Sequence, residues 1–178
     1  MTTTGLVDRL RHGDPSAWRE AYEAHAGRLL VWLRTLAPVD VAASAEDLAS
    51  ETWLTASTKV GEFRGGDDDF AGWLFGIGRL HAVNARRRTT RRNTQPSDAV
   101  PDVQTPPADE MALRVAAVRQ LIDRLPPRER EVIGCLEVVG LDIRTTATAL
   151  GLSQAAVRVA RHRGLARLRR VPSLSVTS

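Results

Sequence analysis

Residues 93–108 read NTQPSDAVPDVQTPPA, and no other stretch limits the chain as much. Four prolines, Pro96, Pro101, Pro106 and Pro107, stand in sixteen residues that include no basic side chain. Each proline removes a backbone donor and pushes the residue before it out of the helical region. The segment therefore reads as an extended linker. It divides the chain into a first domain over 14–92, the linker over 93–108 and a second domain over 109–171.

Both domains favour helix. Strand-forming aromatics make up only 4% of the 178 residues, and Ala, Leu, Arg and Glu are abundant. The fold class expected is all-α: two small helical domains joined by a Pro-rich linker. No apolar run approaches the roughly 20 residues needed to span a bilayer, and the opening MTTTGLVDRL lacks the pattern of a secretion signal. A cytosolic protein without membrane insertion is expected. Cys135 is the only cysteine, which excludes a disulfide framework within one chain.

The net charge of +4 conceals a pattern. Residues 1–84 carry 8 basic and 12 acidic side chains, and residues 93–142 carry 5 basic and 9 acidic. Residues 85–92 hold 5 arginines and no acid, and residues 143–178 hold 7 arginines and no acid. Two basic patches on an otherwise acidic chain suggest two places that meet a polyanion. Of the 25 basic residues 24 are arginine, the side chain suited to bidentate contact with phosphate and guanine.

In the first domain, Pro15 opens a helix whose apolar positions Trp18, Tyr22, His25, Leu29, Trp32, Leu33 and Leu36 recur every three and four residues. Ser44 is a candidate N-cap, with Asp47 three residues on. A third helix follows GGDDDF, with Phe70, Trp73, Leu74, Ile77 and Leu80 as its apolar stripe, and runs into Arg86–Arg92. Asp67, Asp68 and Asp69 invite a metal site, but acids at a helix start complement its positive end, and Asp69 reads as an N-cap. Asp47 and Glu51 share a face with no His or Cys near in sequence, so no catalytic or metal-binding residue is assigned and no cofactor is expected.

In the second domain, 109–124 is amphipathic and Pro127 opens the next helix, which Gly140 ends. A short helix at about 143–149, a turn at Gly151 and a final helix capped by Ser153 form a helix-turn-helix. At 100° per residue, Val157, Ala160, Gly164, Leu165 and Leu168 form the buried stripe of that final helix. Arg161 lies at the stripe's edge and must snorkel or pair. Gln154, Arg158, Val159 and His162 are placed to meet base edges in a major groove. Arg163, Arg167 and Arg169 are better suited to phosphates.

AEDLASETWL, followed by FRGGDDDFAGWLFGIGRLHAVNARRR, resembles region 2 of bacterial extracytoplasmic-function (ECF) sigma factors of the sigma-70 family. LPPREREVIGCLEVVGLDIRTTATALGLSQAAVRVARHRGLARLR resembles their region 4. The resemblance implies a non-enzymatic subunit that binds core RNA polymerase and directs promoter-specific initiation, with an anti-sigma factor as a further partner. It implies core-polymerase binding by Asp47, Leu48, Glu51, Thr52 and Trp53. It implies minus-10 contacts from Arg79, Leu80, Asn84, Arg86, Arg87, Arg88 and Arg91, and minus-35 contacts from Ser153, Gln154, Arg158, Val159, His162 and Arg163. The chain departs from the family pattern at Leu80, where Asn is frequent, at Asn84, where Asp is frequent, and at Thr146, where a core Ile is usual. The competing readings are a helix-turn-helix regulator that does not engage polymerase and, more remotely, a nuclease built on Asp67–Asp69.

Overall fold

A computed structural model describes residues 5–36, 44–93 and 110–170. Its helices are α1 (Leu6–Arg11), α2 (Pro15–Leu36), α3 (Ala45–Lys59), α4 (Asp67–Asn93), α5 (Glu110–Ile122), α6 (Pro127–Ile133), α7 (Ile143–Leu150) and α8 (Gln154–Arg169). Gly134–Val138 continues α6 as a π-helical turn. The architecture is all-α, with one bundle from α1–α4 and a second from α5–α8. The linker expected over 93–108 lies outside the described residues, apart from Asn93 at the end of α4.

Local chemistry sets most helix ends. Ser44 and Asp47 close a reciprocal capping box on α3, the backbone N–H of each residue donating to the other's side chain at 3.1 Å. Pro127 opens α6. Gly151 turns the chain after α7 with φ +63°, a left-handed conformation that glycine takes without a Cβ penalty. The Ser153 hydroxyl accepts the Ala156 N–H at 3.1 Å and caps α8.

The aspartate run works differently from its sequence reading. α4 begins at Asp67, so Asp69 sits inside the first turn and reaches back to the Gly66 N–H at 3.2 Å. Asp67 turns to α1, a helix the apolar periodicity did not announce. Its carboxylate accepts the Leu6 and Val7 N–H groups at 2.8 Å each, satisfying the start of a helix sixty residues away.

Two periodicities also resolve differently. Tyr22 is exposed, and Ala17 and Ala21 are buried on α2 in its place. Leu80 stands 61% exposed at the end of the stripe read on α4, whose buried side comprises Phe70, Leu74, Phe75, Ala82 and Ala85.

The two bundles share a single core. Buried residues from Val7 to Ala160 form one apolar cluster spanning both, with a smaller cluster of Ile122, Leu125 and Ile133 beneath α5. Three α4 glycines explain the fit, since helix-interior glycine costs about 1 kcal/mol against alanine and implies a packing reason. A Cβ at Gly78 would lie 3.1 Å from Leu29 Cδ1, inside the first bundle. A Cβ at Gly72 would lie 2.8 Å from Thr148 Cβ and 3.1 Å from the Thr145 carbonyl, and one at Gly76 would lie 3.5 Å from the Ala149 carbonyl. α7 is thus laid on the bare backbone of α4.

Polar contacts frame this joint. Arg144 pairs with Asp69 at 2.5 Å, and Arg79 with Glu131 at 2.9 and 3.1 Å. Arg28 donates to the Val139 and Gly140 carbonyls at 3.2 and 3.0 Å. The π turn rests against Trp32, whose ring lies 5.3 Å from that of Phe75.

Gly72→Val places a branched side chain where Thr148 already stands. It should cost about 1–3 kcal/mol and part the bundles. Solution scattering should show a larger radius of gyration with helical content unchanged by circular dichroism. An unchanged radius and melting curve would refute this account of the joint.

Candidate nucleic-acid interface

α8 stands on α7 and α6 through its small residues. Val157, Ala160 and Gly164 are buried, and a Cβ at Gly164 would meet Ile133 Cγ1 at 2.8 Å. That contact turns the opposite side outward, where Ser153, Gln154, Arg158, Val159, His162 and Arg163 are all exposed. Arg158, Val159 and His162 of the six residues expected at a minus-35 element fall within about 100° of one another on the outer side of α8, with Gln154 and Arg163 at its two flanks and Ser153 at the cap. Among the described residues Arg158 makes only a long 3.4 Å contact to Gln154. Arg161, at the edge of the stripe, pairs with Glu137 at 2.6 Å. Arg167, read as a phosphate contact, is engaged by Glu129 at 2.9 Å.

The minus-10 set divides in two. Leu80, Asn84, Arg87, Arg88 and Arg91 are exposed along the distal half of α4. Arg86 is exposed and also donates to the Leu36 carbonyl at 3.3 Å. Arg79 is not presented with them, because Glu131 of the second bundle holds its guanidinium by two parallel bonds.

On α3 the expected polymerase-binding residues also separate. Leu48 and Thr52 are fully buried, and the Thr52 hydroxyl donates to the Leu48 carbonyl at 2.6 Å. They hold α3 against α2 and α4 and offer no surface to a partner. Asp47 is exposed, though its carboxylate is committed to the capping box. Glu51 and Trp53 remain available, and Trp53 packs on exposed Tyr22 with ring centroids 5.2 Å apart. Leu54, 67% exposed on the same helix, was not singled out in the sequence. Nor was His81, which meets the Thr55 hydroxyl at 3.0 Å and the Glu51 carboxylate at 3.3 Å. Tyr22, Leu30, Ala49 and Trp53 line a shallow groove between α2 and α3.

None of this resembles a reaction centre. Cys135 is buried, and burial pushes its thiol far above the ordinary range, which leaves it unreactive. Among the described residues no group of three or more His, Cys, Asp or Glu is placed to hold a metal ion. No described helix is long and apolar enough to cross a membrane.

The two surfaces define a helical protein with one basic helix face in each bundle. Residues 21–92 match sigma-70 region 2, and residues 116–168 match sigma-70 region 4. The chain is 31% identical over 176 residues to the ECF RNA polymerase sigma factor ShbA of Streptomyces griseus, covering 92% of both chains. It is 34% identical over 131 residues to the ECF RNA polymerase sigma factor SigD of Mycobacterium tuberculosis, an alignment that takes in 71% of this chain and 62% of that protein. The chain thus spans less than two thirds of the length of SigD. Among solved structures it resembles CnrH in complex with the cytosolic domain of CnrY, with TM-score 0.69, 25% identity and 92% of both chains covered. It shares its fold with the sigma factor RpoE of Bartonella quintana, solved with the anti-sigma factor NepR, at TM-score 0.63, 21% identity and 85% and 93% coverage. The chain belongs to the ECF family of sigma-70 RNA polymerase sigma factors.

The helix-turn-helix depends on the start of α7, where the Asp142 carboxylate accepts the Thr145 N–H at 2.7 Å. That bond holds the carboxyl below the usual aspartate range. A depressed folded-state pKa gives stability that is present above the unfolded value of about 3.9 and lost as pH falls through the lower folded value. Asp142→Ala should therefore cost about 1 kcal/mol at neutral pH. In denaturant titrations the difference from the parent should shrink as pH is lowered through that window. A pH-independent difference would assign the cost to something other than the charged cap.

Proposed function

We propose that the chain binds core RNA polymerase and directs it to promoters, with α8 reading the minus-35 element and the distal half of α4 engaging the minus-10 element. The observation that carries this reading is the pair of exposed basic faces, one in each bundle of a chain belonging to this family. Gln154, Arg158, Val159 and His162 read base edges, and Arg163 binds phosphate. Asn84, Arg87 and Arg88 meet the non-template strand once it has melted. Polymerase docks on the outer side of α2 and α3, through Glu51, Trp53, Tyr22 and Leu54. An anti-sigma factor is a further partner on this reading, supported by the likeness to RpoE, a sigma factor solved with one.

This reading requires the bundles to separate. α4 and α8 both pack on α7, and helix axes in contact lie about 8–10 Å apart, so the two basic helices stand within about 20 Å of each other. The minus-10 and minus-35 elements are about 25 base pairs apart, or about 85 Å of duplex at about 3.4 Å per pair. Sixteen linker residues can reach about 55 Å when extended, and the remaining ~30 Å falls within the breadth of the bundles themselves, since α4 with its 27 residues is about 40 Å long.

Polymerase docking is tested with Glu51→Arg, since reversing Asp47 would also break the capping box. This variant should lose at least about tenfold in competition for core polymerase while its helical content is retained. Unchanged affinity would remove the α3 surface from the docking site.

Promoter reading is tested with Arg158→Ala and Arg169→Ala in holoenzyme, on duplexes with single minus-35 substitutions at several salt concentrations. Arg158→Ala should cost about 1–3 kcal/mol on the preferred sequence and relax preference at one base pair. Arg169→Ala should weaken all sequences alike and lower the salt slope by about one phosphate contact. Equal loss on every sequence for Arg158→Ala would make it a phosphate clamp.

A further inference from the structure

Asp47, Glu51 and Thr55 are spaced four apart along α3 and stand one above another on the same face. Asp47 is committed to the capping box with Ser44. Its charge, one turn away, repels the Glu51 carboxylate. Among the described residues, the side chain that reaches across to Glu51 comes from α4.

That side chain is His81. Its ring lies over both Glu51 and Thr55, with Nε2 3.0 Å from the Thr55 hydroxyl and Nδ1 3.3 Å from the Glu51 carboxylate. The imidazole is 24% exposed and Glu51 is 48% exposed. The ring is thus set into the seam between α3 and α4, while the carboxylate it faces stays open to a partner. With the Thr55 hydroxyl donating to Nε2, the ring proton stands on Nδ1, the nitrogen that faces Glu51. A protonated ring turns an N–H toward each neighbour. In either form a positive edge faces the carboxylate. The order of control runs from Thr55 to the ring and from the ring to Glu51.

We propose that His81 is a positioning residue for polymerase docking: oriented by Thr55, it holds the Glu51 carboxylate in place to receive an arginine or lysine side chain of core polymerase. This rests on the assignment of the α3 surface to docking and goes further by adding a residue of α4 that acts through Glu51. The gain comes from order. A side chain fixed in advance forfeits less conformational freedom on binding, which for one side chain is about two- to tenfold in affinity. The docking carboxylate is then the joint work of two helices. α3 presents it correctly only while it is packed on α4, the helix assigned to the minus-10 element.

The test measures affinity for core polymerase by competition, using the full chain and its variants, with helical content followed by circular dichroism. His81→Leu keeps a helix former at the position and removes both ring contacts. It should lose about two- to tenfold in affinity. His81→Asn returns an amide N–H near the place of Nδ1 and should recover most of that loss. In a Glu51→Gln background, which keeps the size of the side chain and removes its charge, His81→Leu should change nothing further. Helical content should be the same throughout. Parent-like binding by His81→Leu, no recovery with His81→Asn, or an equal loss in the Glu51→Gln background overturns the proposal. If Glu51→Gln by itself binds core polymerase as tightly as the parent, the α3 surface is not the docking site, and this inference fails with that reading.

Discussion

The arrangement of the molecule depends on the contact between α7 and two glycines of α4. Gly72 and Gly76 are one turn apart, and each weakens the helix it belongs to. What they supply is proximity: the Thr148 side chain and the Thr145 carbonyl lie where a side chain at Gly72 would otherwise be, and the Ala149 carbonyl comes within van der Waals reach of a Cβ at Gly76. Once α7 is seated there, Trp32, Phe75 and the π turn at Gly134 become parts of one core. Arg144 reaches Asp69, and Arg79 reaches Glu131. These ion pairs are partly exposed and add little by themselves. They fix the angle at which the second bundle sits, while apolar burial supplies most of the stabilisation.

What the sequence revealed and what it hid follow the range of the forces involved. Caps and turns depend on residues three or four apart, so Ser44 with Asp47, Pro127, Gly151 and Ser153 were legible and stand where expected. The exposed face of α8 was legible for the same reason, because helical period alone separates Arg158 and His162 from Val157 and Ala160. Periodicity does not say which apolar residue meets a neighbour. It placed Tyr22 and Leu80 in stripes that the structure leaves open, and it passed over Ala17 and Ala21, whose small size lets another helix approach. Residues carried over from the family had a similar limit. Leu48 and Thr52 lie on the inner side of α3. Asp67 illustrates the limit at long range, since nothing within the first turn of α4 indicates that its carboxylate caps α1.

Arginine clustering marked the two faces, yet the structure sorts the arginines into two kinds. Arg79, Arg144, Arg161 and Arg167 are each held by a carboxylate from another helix. They orient helices, and the charge they bring is locally cancelled. Arg158 and Arg163 on α8, and Arg87 and Arg88 on α4, have no carboxylate within ion-pair distance among the described residues. Charge left uncancelled on a protein with two net-acidic segments is what creates a local positive field. The acids at positions 129, 131 and 137 therefore shape the interface by subtraction, confining the field to the outer side of α8 and the distal half of α4.

The composition of α7 follows from having to serve both bundles at once. Its sequence is IRTTATAL, and its eight residues bury Thr146, Ala147, Ala149 and Leu150. On one side Thr145, Thr148 and Ala149 meet the glycines of α4, while the helix also packs on α6 and α8. A helix squeezed between two partners must be thin, and threonine and alanine make it so. The cost is visible at Thr146, where the family usually has isoleucine. Its side chain is fully buried, and its hydroxyl has no hydrogen-bond partner among the described residues, a penalty of about 1–3 kcal/mol when no water reaches it. The helix-turn-helix is thereby less stably packed than an isoleucine would make it. That weakness falls on the same helix that, on the proposed function, must leave α4 before the two basic faces can reach promoter elements about 85 Å apart.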